Sequence, residues 1–232
     1  MESTLLQRWQ EVTQQIQKAC TDSARDSVTL LAVSKTKPAE MITELAQAGQ
    51  VHFGENYLQE AMEKMAEIKE LAASIPATKD IVWHYIGHIQ RNKTRDIAEN
   101  FDWVHTVERD IIAKRLNEQR PQTLGKLNVL VQVNIDNEDS KSGCLPSELE
   151  SLITTIKSYD NLNLRGLMII PSKEGSDAFE RTKKLFNEIQ QAHPELTQWD
   201  TLSMGMSGDM QQAIAHGSTM VRVGSAIFGA RD

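Results

Sequence analysis

This sequence predicts a single-domain (β/α)8 barrel, and three observations carry the prediction. Eight short apolar segments recur along its 232 residues, each followed by a helical pattern or a turn. No GxGxxG follows any of them, which weakens the runner-up, an open doubly wound sheet that binds dinucleotides. Polar or chemically versatile residues fall at the carboxyl ends of the strands: Lys35, Asn56, His84, Asn134, Met168, Ser203 and Arg222. A barrel gathers such ends on one face, where this architecture keeps its ligands. No linker, low-complexity tract or repeat divides the chain, so residues 1–232 read as one domain.

The elements follow in order. Residues 3–20 place Leu5, Leu6, Trp9, Val12, Ile16 and Cys20 at helical spacing, a lead-in helix within 1–25. Residues 30–34 form the first strand, and 39–48 a helix that Gly49 stops. The second strand is 51–55, with Asn56 as the expected cap of a long helix over 57–73. The third is 82–86, followed by a helix over 93–100. The fourth is 103–107, with a helix over 109–119. The fifth, 127–134, has the strongest β character. A polar loop, 136–143, leads to a helix over 147–158. The sixth strand, 164–170, precedes a helix over 177–192. The seventh is 201–204, and a helix over 210–216 follows with Ser207 as its expected cap. The eighth is 220–223.

Composition narrows the classes. Hydrophobic content is 40% and charged content 25%, ordinary for a globular protein with a full core. The net charge of -7 argues against a nucleic-acid or anionic-membrane surface. Cys20 and Cys144 show neither disulfide nor zinc spacing. The N-terminus has no cationic segment followed by an apolar core, and no apolar stretch reaches transmembrane length, so a cytoplasmic protein is expected. No heptad or apolar stripe demands a dimer, and a monomer is the expected state.

Lys35 is the residue with the most chemistry. It ends the apolar run 30–34, ahead of Pro38. A lysine at a strand's carboxyl end is partly desolvated, its pKa falls, and its amine becomes a nucleophile towards carbonyls. The bland alternative is a strand-end lysine reaching into solvent. Two glycine–serine turns add to the first reading, one at Ser207-Gly208 and one at Gly224-Ser225. Each can cap a helix, and together they can clamp a phosphate. Lysine plus phosphate cradle suggests a phosphorylated aldehyde held as a Schiff base, with pyridoxal 5'-phosphate the leading candidate.

Seven segments then make the chain recognisable. They are AVSKTKP at 32–38, FGENYLQE at 53–60, WHYIGHIQRNK at 83–93, DSKSG at 139–143, RGLM at 165–168, LSMGMSGD at 202–209 and GSTMVRVGSAIFG at 217–229. With these the sequence resembles the YggS/PROSC family of pyridoxal phosphate homeostasis proteins, over essentially its whole length. The resemblance implies a barrel like the N-terminal domain of alanine racemase. It makes Lys35 the Schiff-base lysine, and Ser207, Gly224 and Ser225 the phosphate cradle. It sets Arg222 near the pyridine nitrogen and Asn56 in the cofactor pocket. His84, Ser203 and Met204 complete the expected cofactor-binding residues. One departure is His88-Ile89, where the family more often has an aliphatic residue or proline, then leucine.

Arg222 argues against an enzyme. An aminotransferase sets a carboxylate against the pyridine nitrogen and keeps it protonated as an electron sink. A guanidinium only donates, and so favours an unprotonated ring. Racemisation would also need a base on the opposite face, which alanine racemase takes from a tyrosine associated with a second domain. Tyr57, Tyr85 and Tyr159 read as packing residues, and the chain leaves no room for that domain after residue 229. Lys141 reads as a solvated loop lysine, with transient aldehyde capture the sharper alternative. Asp136, Glu138 and Asp139 lack calcium-loop spacing, and Met204 with Met206 reads as packing beside the cofactor. The leading function is therefore a non-catalytic protein of vitamin B6 homeostasis that holds the cofactor on Lys35 and supplies apo-enzymes. An amino-acid racemase and an aldolase-like Schiff-base barrel remain as alternatives.

Overall fold

The computed structural model describes residues 3–172 and 177–230. Its centre is a closed barrel of eight parallel strands in sequence order. These are β1 (Thr29–Val33), β2 (His52–Glu55), β3 (Val82–Tyr85), β4 (Trp103–Val107), β5 (Leu127–Gln132), β6 (Leu162–Met168), β7 (Thr201–Met206) and β8 (Met220–Val223). Pairing of β1 with β8, Thr29 opposite Met220 through Ala32 opposite Val223, closes the ring and excludes the open sheet.

The helices are α1 (Leu5–Asp22), α2 (Ala39–Gln47), α3 (Leu58–Leu71), α4 (Thr94–Asn100), α5 (Asp110–Gln119), α6 (Pro146–Ile156), α7 (Ala178–Ala192), α8 (Met210–Ala215) and the single turn α9 (Ser225–Phe228). α1 begins with a capping box: Gln7 N–H donates to Thr4 Oγ1 at 3.2 Å, and Thr4 N–H donates to Gln7 Oε1 at 2.9 Å. Its apolar face, with Val12 and Ile16, joins Met210, Ile214, Ile227 and Phe228 in one buried cluster. The lead-in helix therefore packs beside the elements that carry the last two strand ends.

Where expectation and structure differ, local chemistry explains the difference. Tyr57, not Asn56, is the N-cap residue of α3, and its side chain makes no capping bond. Asp209, not Ser207, occupies the N-cap position of α8. It accepts instead from Met206 N–H at 2.6 Å, and Ser207 is half-buried in the turn between them. β5 stops at Gln132 because Asn134 turns its amide into the following loop, donating to Glu138 O at 2.8 Å and accepting from Glu138 N–H at 3.1 Å. Asn134 is thus a loop brace. β6 begins earlier, at Leu162, and β7 runs on to Met206. At 88–89, His88 is exposed and Ile89 is buried in the main cluster, so the departure from the family pattern is a packing change. Among the described residues no helix is long and apolar enough to cross a membrane.

Candidate functional site

The carboxyl ends of the strands open into a cleft of about 310 Å³. Val33 and Lys35 come to it from the end of β1, Asn56 from just beyond β2, and Ile86 from just beyond β3. Met168 and Ile170 come from β6, Met206 with Ser207 and Gly208 from β7, and Arg222 with Gly224 and Ser225 from β8. Thr36, Lys37, Phe228 and Gly229 complete the wall. Six of the nine expected cofactor-binding residues share this one cavity: Lys35, Asn56, Ser207, Arg222, Gly224 and Ser225.

The other three lie outside its lining. His84 and Ser203 are fully buried and meet inside the barrel through His105. Met204 is fully buried in the main hydrophobic cluster with Leu202 and Ala213. Strand alternation turns Ser203 inward and Leu202 and Met204 outward, and the register irregularity between Ser203 and Met206 breaks that alternation and lets Met206, the last residue of β7, reach the cleft. Met206, expected to pack beside the cofactor, and Gly208 of the expected phosphate turn do line the cleft, whereas Thr36, Ile86, Ile170, Phe228 and Gly229 were not singled out as site residues in the sequence. They carry no chemical signature of their own, only a place beside a strand end.

The loop bearing Lys35 is held from both sides. Ser34 is fully buried and donates through Oγ to Glu55 Oε1 at 2.6 Å. Lys64 reaches in from α3 and bonds Ser34 O at 2.9 Å, Glu55 Oε1 at 2.6 Å and Glu60 Oε1 at 2.7 Å. On the far side, Thr36 N–H donates to Glu60 Oε1 at 2.6 Å. Thr36 has φ 63°, a left-handed conformation a β-branched residue adopts only when its surroundings impose it. Burial pushes the Glu55 carboxyl above the usual carboxylate range, with the Lys64 ammonium pulling the other way. Lys35 itself is half-buried. The neighbouring lysine at the cleft, Lys37, donates from Nζ to Ala230 O at 2.9 Å.

Asn56 Oδ1 is buried with no hydrogen-bond partner among the described residues, beside the cavity. An orphaned acceptor of this kind costs about 1–3 kcal/mol, which a bound donor would recover. Gly87 makes the position possible: a Cβ there would come within 2.1 Å of Asn56 O. Arg222 is buried and donates from Nη1 to Ser203 Oγ at 2.8 Å and from Nη2 to Ile169 O at 2.9 Å. Burial holds its guanidinium down to about 10, against the attraction of Asp209, so it stays charged at neutral pH. Ser225 opens α9, where the first amides have no carbonyl four residues back within the turn. A Cβ on Gly224 would approach Val33 O to 3.3 Å, so β8 lies close against β1 there.

The tyrosines lie elsewhere. Tyr85 is buried and donates to His88 O at 3.0 Å, and Tyr159 donates to Asp110 Oδ1 at 2.5 Å. Tyr57 is 50% exposed, so it is not the packing residue expected. Lys141 approaches Ile170 O at 3.5 Å and Glu138 Oε1 at 3.5 Å, which folds the loop lysine towards the cleft rim. Among the described residues no three His, Cys, Asp or Glu side chains group to hold a metal ion.

Taken together, the cavity offers an amine at a strand end, two serine–glycine turns and a buried donor-only cation. The set fits a small anionic aldehyde with a heteroaromatic ring. Residues 6–232 match the family described as alanine racemase, N-terminal domain. A pyridoxal phosphate homeostasis protein of Vibrio cholerae is 49% identical over 99% of this chain and 97% of its own. The protein of that name from Escherichia coli K12 is 48% identical, covering 96% of this chain and 94% of its own. Among solved structures, PipY of Synechococcus elongatus with pyridoxal phosphate bound is 32% identical. It superposes with a TM-score of 0.82 over 97% of this chain and all of its own. Alanine racemase of Corynebacterium glutamicum, at 15% identity and a TM-score of 0.63, shares the fold over 94% of this chain and 60% of its own.

Proposed function

This chain belongs to the alanine racemase N-terminal domain family, among the pyridoxal phosphate homeostasis proteins, and on that premise we propose that it holds pyridoxal 5'-phosphate on Lys35, controls its free level and supplies it to apo-enzymes. The observation that carries this reading is the meeting of Lys35, Ser207, Ser225, Asn56 and Arg222 around one cleft. Lys35 provides the amine for a Schiff base with the cofactor's aldehyde. Ser207 and Ser225, with the amides of their turns, hold the phosphate. Arg222, a permanent donor, faces the ring nitrogen and keeps it unprotonated. Asn56 Oδ1 takes a donor from the ligand or its water. The protein acts as one domain over 1–232, in the cytoplasm and as a monomer, with neither nucleic acid nor membrane as a partner.

When bound, the cofactor supplies a reactive aldehyde and a conjugated ring, and the residues around it decide how far that reactivity is used. Arg222 withholds the proton that would make the ring a strong electron sink. The three tyrosines are occupied elsewhere or point to solvent, so none stands over Lys35 as a second base. A holder that exchanges its cargo with amines is the consequence. Loaded protein is expected to transfer its cofactor to an apo-enzyme. It is also expected to leave the α-proton of alanine unexchanged in deuterium oxide over the time a racemase needs for many turnovers. Rapid, stereochemically productive exchange that vanishes in Lys35→Ala would replace this reading with the racemase one.

The phosphate assignment has its own test. Ser207→Asp places a negative charge where the phosphate lies. Affinity for pyridoxal 5'-phosphate should fall by about tenfold or more, while unphosphorylated pyridoxal binds nearly as before. Equal weakening of both ligands would mean that the phosphate is held by other residues.

A further inference from the structure

Three histidines run through the barrel interior in single file. His52 begins β2, His84 is the third residue of β3, and His105 is the third residue of β4. His52 Nδ1 lies 2.9 Å from His84 Nε2, His84 Nδ1 lies 2.9 Å from His105 Nε2, and His105 Nδ1 lies 2.9 Å from Ser203 Oγ. Ser203 then receives Arg222 Nη1 at 2.8 Å. His84, His105 and Ser203 are fully buried, and His52 is half-buried. Trp103 stacks on His84 with centroids 5.3 Å apart and holds the ring plane. The file therefore leads from the cleft residue Arg222 to the N-terminal mouth of the barrel.

We propose that Ser203, His105, His84 and His52 are positioning residues that hold Arg222 through a hydrogen-bond chain of one fixed direction. The direction follows from proton inventory. Arg222 can only donate, so Ser203 Oγ accepts from it. The single hydroxyl hydrogen then goes to His105 Nδ1. His105, neutral, carries its proton on Nε2 and donates to His84 Nδ1. His84 carries its own on Nε2 and donates to His52 Nδ1, which leaves the His52 proton on Nε2. Every polar atom inside the chain is satisfied. The reverse direction sends His105 Nδ1–H to a Ser203 oxygen that already accepts from Arg222, and strands the Ser203 hydroxyl hydrogen in a dry core. Burial keeps His84 and His105 neutral, each held well below the usual imidazole value.

This deepens the proposed function, because it rests on Arg222 serving the cofactor ring, yet the chain's direction can be measured without cofactor. The experiment uses the full-length protein with 15N-labelled histidine at neutral pH, and long-range proton–nitrogen correlations that report each ring's tautomer. All three rings should be in the Nε2–H form. Ser203→Ala should leave His105 as a mixture of tautomers, and Ser203→Thr should restore the single form. His52→Ala, at the far end, should leave His84 and His105 unchanged, because the order is imposed from Arg222. A doubly protonated or Nδ1–H His105 in the unsubstituted protein would overturn the proposal. So would a single, unchanged His105 tautomer in Ser203→Ala, or a flipped one in His52→Ala.

With pyridoxal 5'-phosphate as probe, Ser203→Ala should weaken retention about tenfold and shift the absorption maximum of the bound cofactor, with Ser203→Thr close to the unsubstituted protein. Unchanged retention and an unchanged maximum beside the expected tautomers would overturn the positioning role. If the unsubstituted protein fails to bind the probe, the proposed function is what fails, and the tautomer measurements still decide the chain's direction.

Discussion

Lys35→Ala is expected to abolish the absorbance band of bound pyridoxal 5'-phosphate and to leave nothing on the protein for borohydride to fix. No other change at the cleft should have so complete an effect. A Schiff base needs a primary amine, and no rearrangement of the remaining wall supplies one at the end of β1. The neighbouring amine of Lys37 is turned to the carbonyl of Ala230. The fold should survive, because Lys35 is half-buried at the cleft rather than part of either large hydrophobic cluster. Unfolding free energy should change by no more than about 0.5–1 kcal/mol. Absorption spectra and urea titrations of the two proteins make the comparison. A variant that keeps the band would remove Lys35 from the centre of the account.

Lys64→Met is expected to have the largest effect on stability. Among the described residues the Lys64 ammonium is the counter-charge paired with Glu55, whose carboxylate is fully buried and already has one oxygen, Oε2, without a hydrogen bond. Breaking a buried pair by removing one member costs about 3–5 kcal/mol, because the remaining charge is left uncompensated. The loss also frees Ser34 O, so the segment carrying Lys35 should loosen and cofactor retention should fall with stability.

The pH dependence fixes the sign of the Glu55 contribution. Burial raises the Glu55 carboxyl in the folded protein above its unfolded value of about 4.3. The folded state then binds more protons than the unfolded one across that interval. Stability from this group is full below the unfolded pKa and is lost as pH rises through the folded one. In Lys64→Met the folded pKa moves further up, so the deficit against the unsubstituted protein should narrow as pH falls from 7.5 towards 5. Glu55→Gln added to Lys64→Met should recover part of the loss at pH 7.5. Urea unfolding at both pH values measures this. A deficit under about 1 kcal/mol that does not change with pH would show that Lys64 and Glu55 do not act as a pair.

Much of the barrel was legible in the sequence, for reasons specific to its parts. β4 and β8 lie over the predicted residues because each is a short apolar run between polar turns. Helix ends were less legible. Asn56 and Ser207 are both good capping residues by type, yet each faces the cleft while Tyr57 and Asp209 take the cap positions. A residue type that suits a cap also suits a binding site, and sequence alone does not separate the two uses.

Of the site, the strand-end signal led to Lys35, Asn56 and Arg222, because a barrel rim gathers whatever follows its strands. The same signal overreached at His84, Ser203 and Met204, where one residue's difference in position decides between rim, interior and outer shell. Two networks went unread. Glu55 and Lys64 are nine residues apart, on a strand and a helix, and nothing in spacing pairs them. The histidine file did leave a trace: His52, His84 and His105 each sit among apolar residues in three successive strands, but His84 and His105 each lie two residues beyond the position paired with the preceding histidine, a stagger that spacing in the sequence does not reveal.

The central claim is that Lys35 carries the cofactor, and borohydride reduction of the loaded, unsubstituted protein followed by peptide mapping tests it most directly. The account predicts the reduced pyridoxyl group on the peptide containing Lys35. A label found mainly on Lys37, Lys141 or another lysine would contradict it.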